Sequence, residues 1–521
     1  VILGGFRARD ARPSDIAAAA ILAVALVVFL VHEARTGLIF PVPWSDEASF
    51  LWPALSFRDG LGLFAPEVNP ERDVLWMPPA FMVLHGLVFT VVPFSLEAAR
   101  AVSAALMATA AAAVGAMAWP LRARLAHVLA IAAFLAAPVI LLAGNTARME
   151  SLVLALATSG FFLLSRGRTA GLGVLALAPL AHPNGLFALL GGFVQAGLVT
   201  GSAWSSRRAS AASRGVAPRP WLTLRVADGL VLVAVVACWT LYGVYVARHF
   251  ADFKADMMAQ LRFKMFISYA DKENLGVRLG QTPIVIGLVA LLLGGALAWR
   301  RRTNVLALFV LGVCMFVQTG TAAGWLYEVY PVLALLIATI VVVESAATLL
   351  ADRVSARYWP WAMAALGVLG ASLLVIAARN EFLLRTVERS TVTLDGKGPE
   401  YITAEDRADI GAHLRALAHE RGRAAVQFLP AGEGLAYESL RGPDLGIVEQ
   451  TFYVGKFDVL LVHDSVWCPQ MIHDLELLRF ITLPGVPIPK PSRIRSRDGT
   501  EHWSIYRFPP VPRRQSRRSF F

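Results

Sequence analysis

Two carboxylates stand side by side in Pro43-Trp44-Ser45-Asp46-Glu47-Ala48, close to the aromatic residues Phe50 and Trp52. A carboxylate held near an apolar surface can serve as a general base, taking the proton of an attacking hydroxyl or amine. On a helix starting at Ser45, neighbouring residues point about 100° apart. One acid can then face a cavity while the other is tied into structure. The plain alternative is an N-capped surface helix with acids in its first turn.

Further on, Arg148-Met149-Glu150 sits at the end of an apolar run. An ionisable pair beside lipid marks a functional site, against the simpler reading of an interfacial arginine with a nearby partner. His182-Pro183-Asn184-Gly185 breaks another apolar run, which makes His182 and Asn184 candidates for contact with a substrate or members of an ordinary reverse turn. Residues 248–282 carry Lys254, Asp256, Arg262, Lys264 and Tyr269. Spaced basic residues suit a phosphate group, or else a solvated amphipathic helix. Tyr327 and Tyr330 open a late apolar run, where belt tyrosines also occur. Tight metal-ligand spacing, a Walker loop, a Gly-x-Ser-x-Gly elbow and a dinucleotide fingerprint are all missing from the sequence. A nucleotide-sugar donor is therefore not expected.

These groups must be held by a membrane body. Of 521 residues, 56% are hydrophobic and 16% charged, well below the quarter or so charged in soluble domains. The mean hydropathy is +0.58. A bilayer core of about 30 Å takes roughly 20 helical residues. Apolar runs of suitable length fall at 16–32, 97–119, 125–143, 150–165, 170–182, 185–200, 226–247, 283–299, 304–320, 327–345 and 359–378. The first lacks a small-residue cleavage site and is expected to be a retained anchor.

The run 79–94 is ambiguous, and the arginines decide it. If it spans, every later basic cluster is inverted. If it stays on one side as part of a long first loop, the clusters at 7–12, 122/124, 166/168, 207–225, 300–302 and 353/357 all face the cytoplasm. The expected fold class is thus a polytopic α-helical membrane protein of about eleven spans, its amino end inside and its carboxyl end outside. The expected outer segments are 33–96, 145–150, 182–185, 248–282, 321–326 and the tail. The net charge of +11 sits in these clusters, which suits anionic lipid and speaks against nucleic acid. Cys238 and Cys314 lie in apolar runs, leaving Cys468 as the one cysteine expected to meet an oxidising compartment.

After about residue 380 the chain is no longer membrane-like. A helix over 404–421 and strands at 424–429, 457–463 and 503–508 suggest a small α/β domain over 381–521. Its basic end, 509–521, reads as disordered, and 201–220 reads as a flexible inside loop.

The ordered set Ser45-Asp46-Glu47-Ala48, Met77-Pro78-Pro79, Leu96-Glu97-Ala98-Ala99-Arg100, Ala147-Arg148-Met149-Glu150, Leu180 to Gly185 and Tyr330-Pro331 resembles the GT-C superfamily of lipid-linked-sugar glycosyltransferases. The likeness is to the bacterial branch related to protein O-mannosyltransferases and lipid A aminoarabinose transferase, and it covers roughly residues 10–380. The resemblance implies a GT-C-type domain over 1–380 and inverting transfer of a sugar from a polyprenyl-phosphate donor to a lipid, glycan or protein acceptor. It implies a multi-pass protein of the bacterial inner membrane, acting at the extracytoplasmic face. It makes Asp46 the catalytic base and Glu150 a second acid where the family commonly has Asp; Glu47 joins the catalytic candidates as the neighbour of Asp46, without an assigned role. Arg148, His182, Asn184, Arg262, Lys264, Tyr327 and Tyr330 become substrate-binding candidates; related bacterial members often carry Lys where this chain has His182. Basic side chains are expected to meet the leaving phosphate. No cofactor or metal site is required, a divalent cation held by the acids being the alternative. The rival functions are a transporter or flippase of lipid-linked glycans, which predicts inverted repeats, and a non-catalytic assembly subunit of the same fold.

Overall fold

A computed structural model describes residues 13–37, 45–69, 73–214, 225–259, 303–319, 329–377, 404–421, 424–429, 432–449, 457–463, 492–495 and 503–507, with isolated gaps at 352 and 356 and a few single residues between these stretches. The body is helical. In chain order the helices are α1 (Pro13–Thr36), α2 (Ser45–Arg58), α3 (Ala80–Phe89), α4 (Leu96–Ala118), α5 (Arg124–Leu135), α6 (Pro138–Gly144), α7 (Met149–Ser165), α8 (Ala170–Ala181), α9 (Gly185–Arg214), α10 (Val226–Arg248), α11 (Thr303–Thr319), α12 (Val329–Leu350) and α13 (Trp359–Ala377).

Among the described residues, α1, α4, α10 and α12 are each long and apolar enough to cross a membrane. The pair α5–α6, bent by 65°, makes a fifth candidate. Pro138 opens α6, and proline cannot continue the preceding helix, so the bend falls where the chemistry requires it. The apolar helices α7, α8, α11 and α13 and the first half of α9 also coincide with expected runs; the run 283–299 lies outside the described residues. One expectation is corrected. The stretch read as a loop from residue 201 is helical as far as Arg214. Its alanines and arginines favour helix, while its lack of apolar periodicity concealed it.

Helix α3 has 10 residues, about 15 Å, or half the thickness of a bilayer core. It packs on α2: a Cβ placed on Gly86 would come within 2.7 Å of Phe57 and 2.8 Å of the Ala54 carbonyl oxygen. Only glycine allows so close a crossing. The start of α4 returns to the end of α1, because Arg100 donates to the Gly37 carbonyl at 2.9 Å. The segment between α1 and α4 therefore starts and ends side by side.

The tail holds α14 (Ala404–Arg421), as expected, and a five-stranded sheet. Its strands are β1 (Ala424–Leu429), β2 (Leu445–Val448), β3 (Val459–His463), β4 (Ser492–Ile494) and β5 (Trp503–Arg507), in the order β2-β1-β3-β5-β4. The pairs β1–β2 and β1–β3 are parallel, while β5 joins β3 and β4 antiparallel. Strands β1, β3 and β5 match the apolar runs read from sequence. Strands β2 and β4 were not foreseen, since they have only four and three residues.

Candidate active site

Helix α2 begins at Ser45, and its first two acids diverge as the helical geometry requires. Glu47 is fully buried. Its two oxygens accept from Arg100 Nε at 2.9 Å and Arg100 Nη2 at 2.6 Å, and Oε1 also accepts from the Ala147 backbone N–H at 2.8 Å. This fork-to-fork pair ties the first turn of α2 to α4 and to the residues before α7. Asp46 points elsewhere. Its side chain keeps 32% of its surface exposed, and Oδ2 stands 3.0 Å from Arg148 Nη1.

Arg148 occupies the N-cap position of α7, in extended backbone. Its other terminal nitrogen, Nη2, lies 2.9 Å from Glu150 Oε1. Glu150 is in the first turn of α7 and only 3% exposed at its side chain. The contact sets a cation against a buried acid. One guanidinium thus bridges an open carboxylate and a buried one. The open acid can reach a substrate, and the cation beside it can meet an anion.

His182 caps the carboxyl end of α8, and its Nδ1 accepts from the Asn184 backbone N–H at 3.1 Å. Because α7 and α8 are consecutive antiparallel partners, this turn lies at the same end of the pair as Arg148 and Glu150. Tyr330 is fully buried in the first turn of α12. Arg262, Lys264 and Tyr327 lie outside the described residues.

A second polar group was missed in the sequence. Asp73 in the first loop, His249 at the end of α10 and Asp252 just after it bring ligand-type atoms within 4.8 Å of one another. His249 Nδ1 is 2.8 Å from Asp73 Oδ2, which also accepts from the Tyr245 hydroxyl at 2.8 Å. Nearby, the Leu75 backbone N–H donates to Asp256 at 2.8 Å. Two carboxylates and an imidazole are a donor set that fits a divalent cation. They also form a hydrogen-bonded latch between the first loop and α10. Asp73 comes from a stretch far from His249 and Asp252, so the sequence did not announce the trio. Arg100 was noted only within a motif; the missed signal was that a buried acid such as Glu47 needs a buried cation.

No family model and no curated protein matches the chain. Among solved structures, ArnT from Cupriavidus metallidurans bound to undecaprenyl phosphate aligns with a TM-score of 0.50 and 15% identity, covering 94% of this chain and 97% of that one. The same protein in the apo state gives a TM-score of 0.50 at 14% identity over the same shares. An oligosaccharyltransferase from Archaeoglobus fulgidus, in complex with Zn and sulfate, aligns with a TM-score of 0.45 at 12% identity, over 92% of this chain and 72% of that one. A likeness this distant in sequence but extending over nearly the whole of both chains is one of architecture: the chain has the fold of that ArnT structure.

Proposed function

We propose that the chain is a membrane glycosyltransferase that moves a sugar from a polyprenyl-phosphate donor to an acceptor, at the membrane face on which α2 lies. Arg148 carries this reading, set between the open Asp46 at 3.0 Å and the buried Glu150 at 2.9 Å. Fold likeness to a protein crystallised with undecaprenyl phosphate supports a prenyl-phosphate substrate.

Asp46 takes the proton of the acceptor hydroxyl or amine as that atom forms a bond to the anomeric carbon. The bond from that carbon to the phosphate oxygen breaks in the same displacement, so configuration inverts. The electron pair leaves with the prenyl phosphate. Arg148 offers the nearby cation for the charge that develops there, with His182, Arg262 and Lys264 as further candidates. Glu47 is assigned to positioning, through Arg100. Glu150 orients Arg148. The face is taken to be extracytoplasmic and the membrane to be the bacterial inner one, from the arginine clusters and the resemblance. Metal is not required by this scheme. The site is concentrated at one face, whereas a transporter would place ionisable groups near mid-membrane.

The test is transfer from labelled polyprenyl-phosphate mannose or aminoarabinose in membranes containing wild type or Asp46→Asn. Loss of transfer by about 10²-fold or more is expected for the variant. Equal transfer by both would remove Asp46 as the base.

A further inference from the structure

Open α/β sheets generally take their ligands outside the carboxyl ends of the parallel strands. In this tail that position is filled by the chain's own first loop. Glu449, directly after β2, accepts from the Trp52 indole N–H of α2 at 3.3 Å and from the Gly432 backbone N–H after β1 at 2.9 Å. Its own backbone N–H donates to the Glu67 carbonyl at 2.9 Å. Arg441 lies over the Trp52 ring, 5.5 Å from its centroid, and pairs with Glu67 at 2.7 Å. Arg58, the last residue of α2, pairs with Glu438 at 3.1 Å. Trp52 and Glu449 are both fully buried. A Cβ on Gly434 would stand 2.5 Å from Glu449 Oε1, so the turn after β1 is shaped around that carboxyl.

These contacts fall on the middle and end of the helix whose first turn carries Asp46. Glu47 and Arg100 hold that first turn from one side, and α3 packs along the same helix. The tail supplies the remaining hold. We propose that Glu449 and Arg441 are positioning residues for Asp46: the tail sheet grips α2 and thereby sets where the catalytic carboxylate stands. In this assignment the carboxyl edge of the sheet is committed to the first loop and is not an acceptor-binding crevice. The proposal rests on the function assigned above for its kinetic consequence, but the grip itself is a property of the fold.

The experiment uses the full chain in nanodiscs, as wild type, Arg441→Ala, Arg441→Lys and Glu449→Gln. Hydrogen exchange of peptides covering 45–58 is measured beside peptides from α4 and β3. The expected result is about tenfold faster exchange at 45–58 in Arg441→Ala, with α4 and β3 unchanged. With polyprenyl-phosphate mannose or aminoarabinose as donor, kcat should fall about tenfold in Arg441→Ala while donor KM stays within about twofold, because a misplaced base slows the displacement without altering ground-state binding. Arg441→Lys should recover part of both effects, since it keeps the charge facing Glu67. Unchanged exchange at 45–58 would overturn the proposal, and so would loosening spread equally over α4 and β3. Should wild type transfer neither sugar, the functional assignment fails, and the exchange result alone still decides the grip.

Discussion

Glu47 and Arg100 meet through two hydrogen bonds of 2.9 and 2.6 Å, with side chains 0% and 1% exposed. The acid next to the candidate base is thus committed to a cation from another helix. Removing one member of such a pair leaves an uncompensated buried charge, which costs about 3–5 kcal/mol. Glu47→Ala should therefore lower the thermal midpoint sharply in detergent, whereas Asp46→Asn should leave it within about 2 °C. Replacing both partners, as Glu47→Gln with Arg100→Met, should recover part of the loss. Equal midpoints for Glu47→Ala and Asp46→Asn would contradict the division of labour between the two acids.

Arg148 has a different task, and its two terminal nitrogens serve two acids. Arg148→Ala is expected to reduce transfer about 10²–10³-fold, the scale for losing one group that stabilises developing charge. Arg148→Lys should be intermediate, since one ammonium cannot occupy both positions at once. The kinetic constants of the three proteins check this. Full activity in Arg148→Ala would exclude it from the site.

Burial raises the Glu449 carboxyl to about 7; the bonds from Gly432 and Trp52 oppose the shift, and the nearby Glu433 and Glu67 reinforce it. Arg407 balances Glu433 at 2.7 Å, and Arg441 balances Glu67. The folded chain therefore keeps a proton that the unfolded chain releases above the ordinary value of 4.5. Folding stability should fall as pH rises from about 4.5 to about 7 and then level off, by ~3 kcal/mol at most. Scanning fluorimetry from pH 5 to 8 should show this slope in wild type and a flatter one in Glu449→Gln. Parallel slopes would refute it.

Chelation addresses Asp73, His249 and Asp252. With a charge-stabilising arginine at the site, EDTA is expected to leave transfer within about twofold. Loss of more than about tenfold, restored by added zinc, would instead make the cluster a working metal centre.

Much of the helical body was legible because apolar length is a local property of the chain. The divergence of Asp46 and Glu47 was legible too, from helical geometry alone. What could not be read were the partners. Arg100 for Glu47, Glu449 for Trp52 and His249 for Asp73 each come from a distant stretch, and a single sequence carries no spacing that links them. Strand β2 was hidden by its brevity, although it places Glu449. The helical continuation of α9 to Arg214 was hidden for another reason: a polar helix has no apolar stripe to reveal it.

The bridge made by Arg148 also sets a condition on what can enter. Two carboxylates against one guanidinium leave the cluster negative when all three are ionised. An incoming phosphodiester is negative as well, and repulsion at such short range is strong where water is scarce. On the proposed function, donor arrival is expected to bring positive charge with it, as a proton or a cation. On that reading, proton uptake on donor binding is the trace expected in solution.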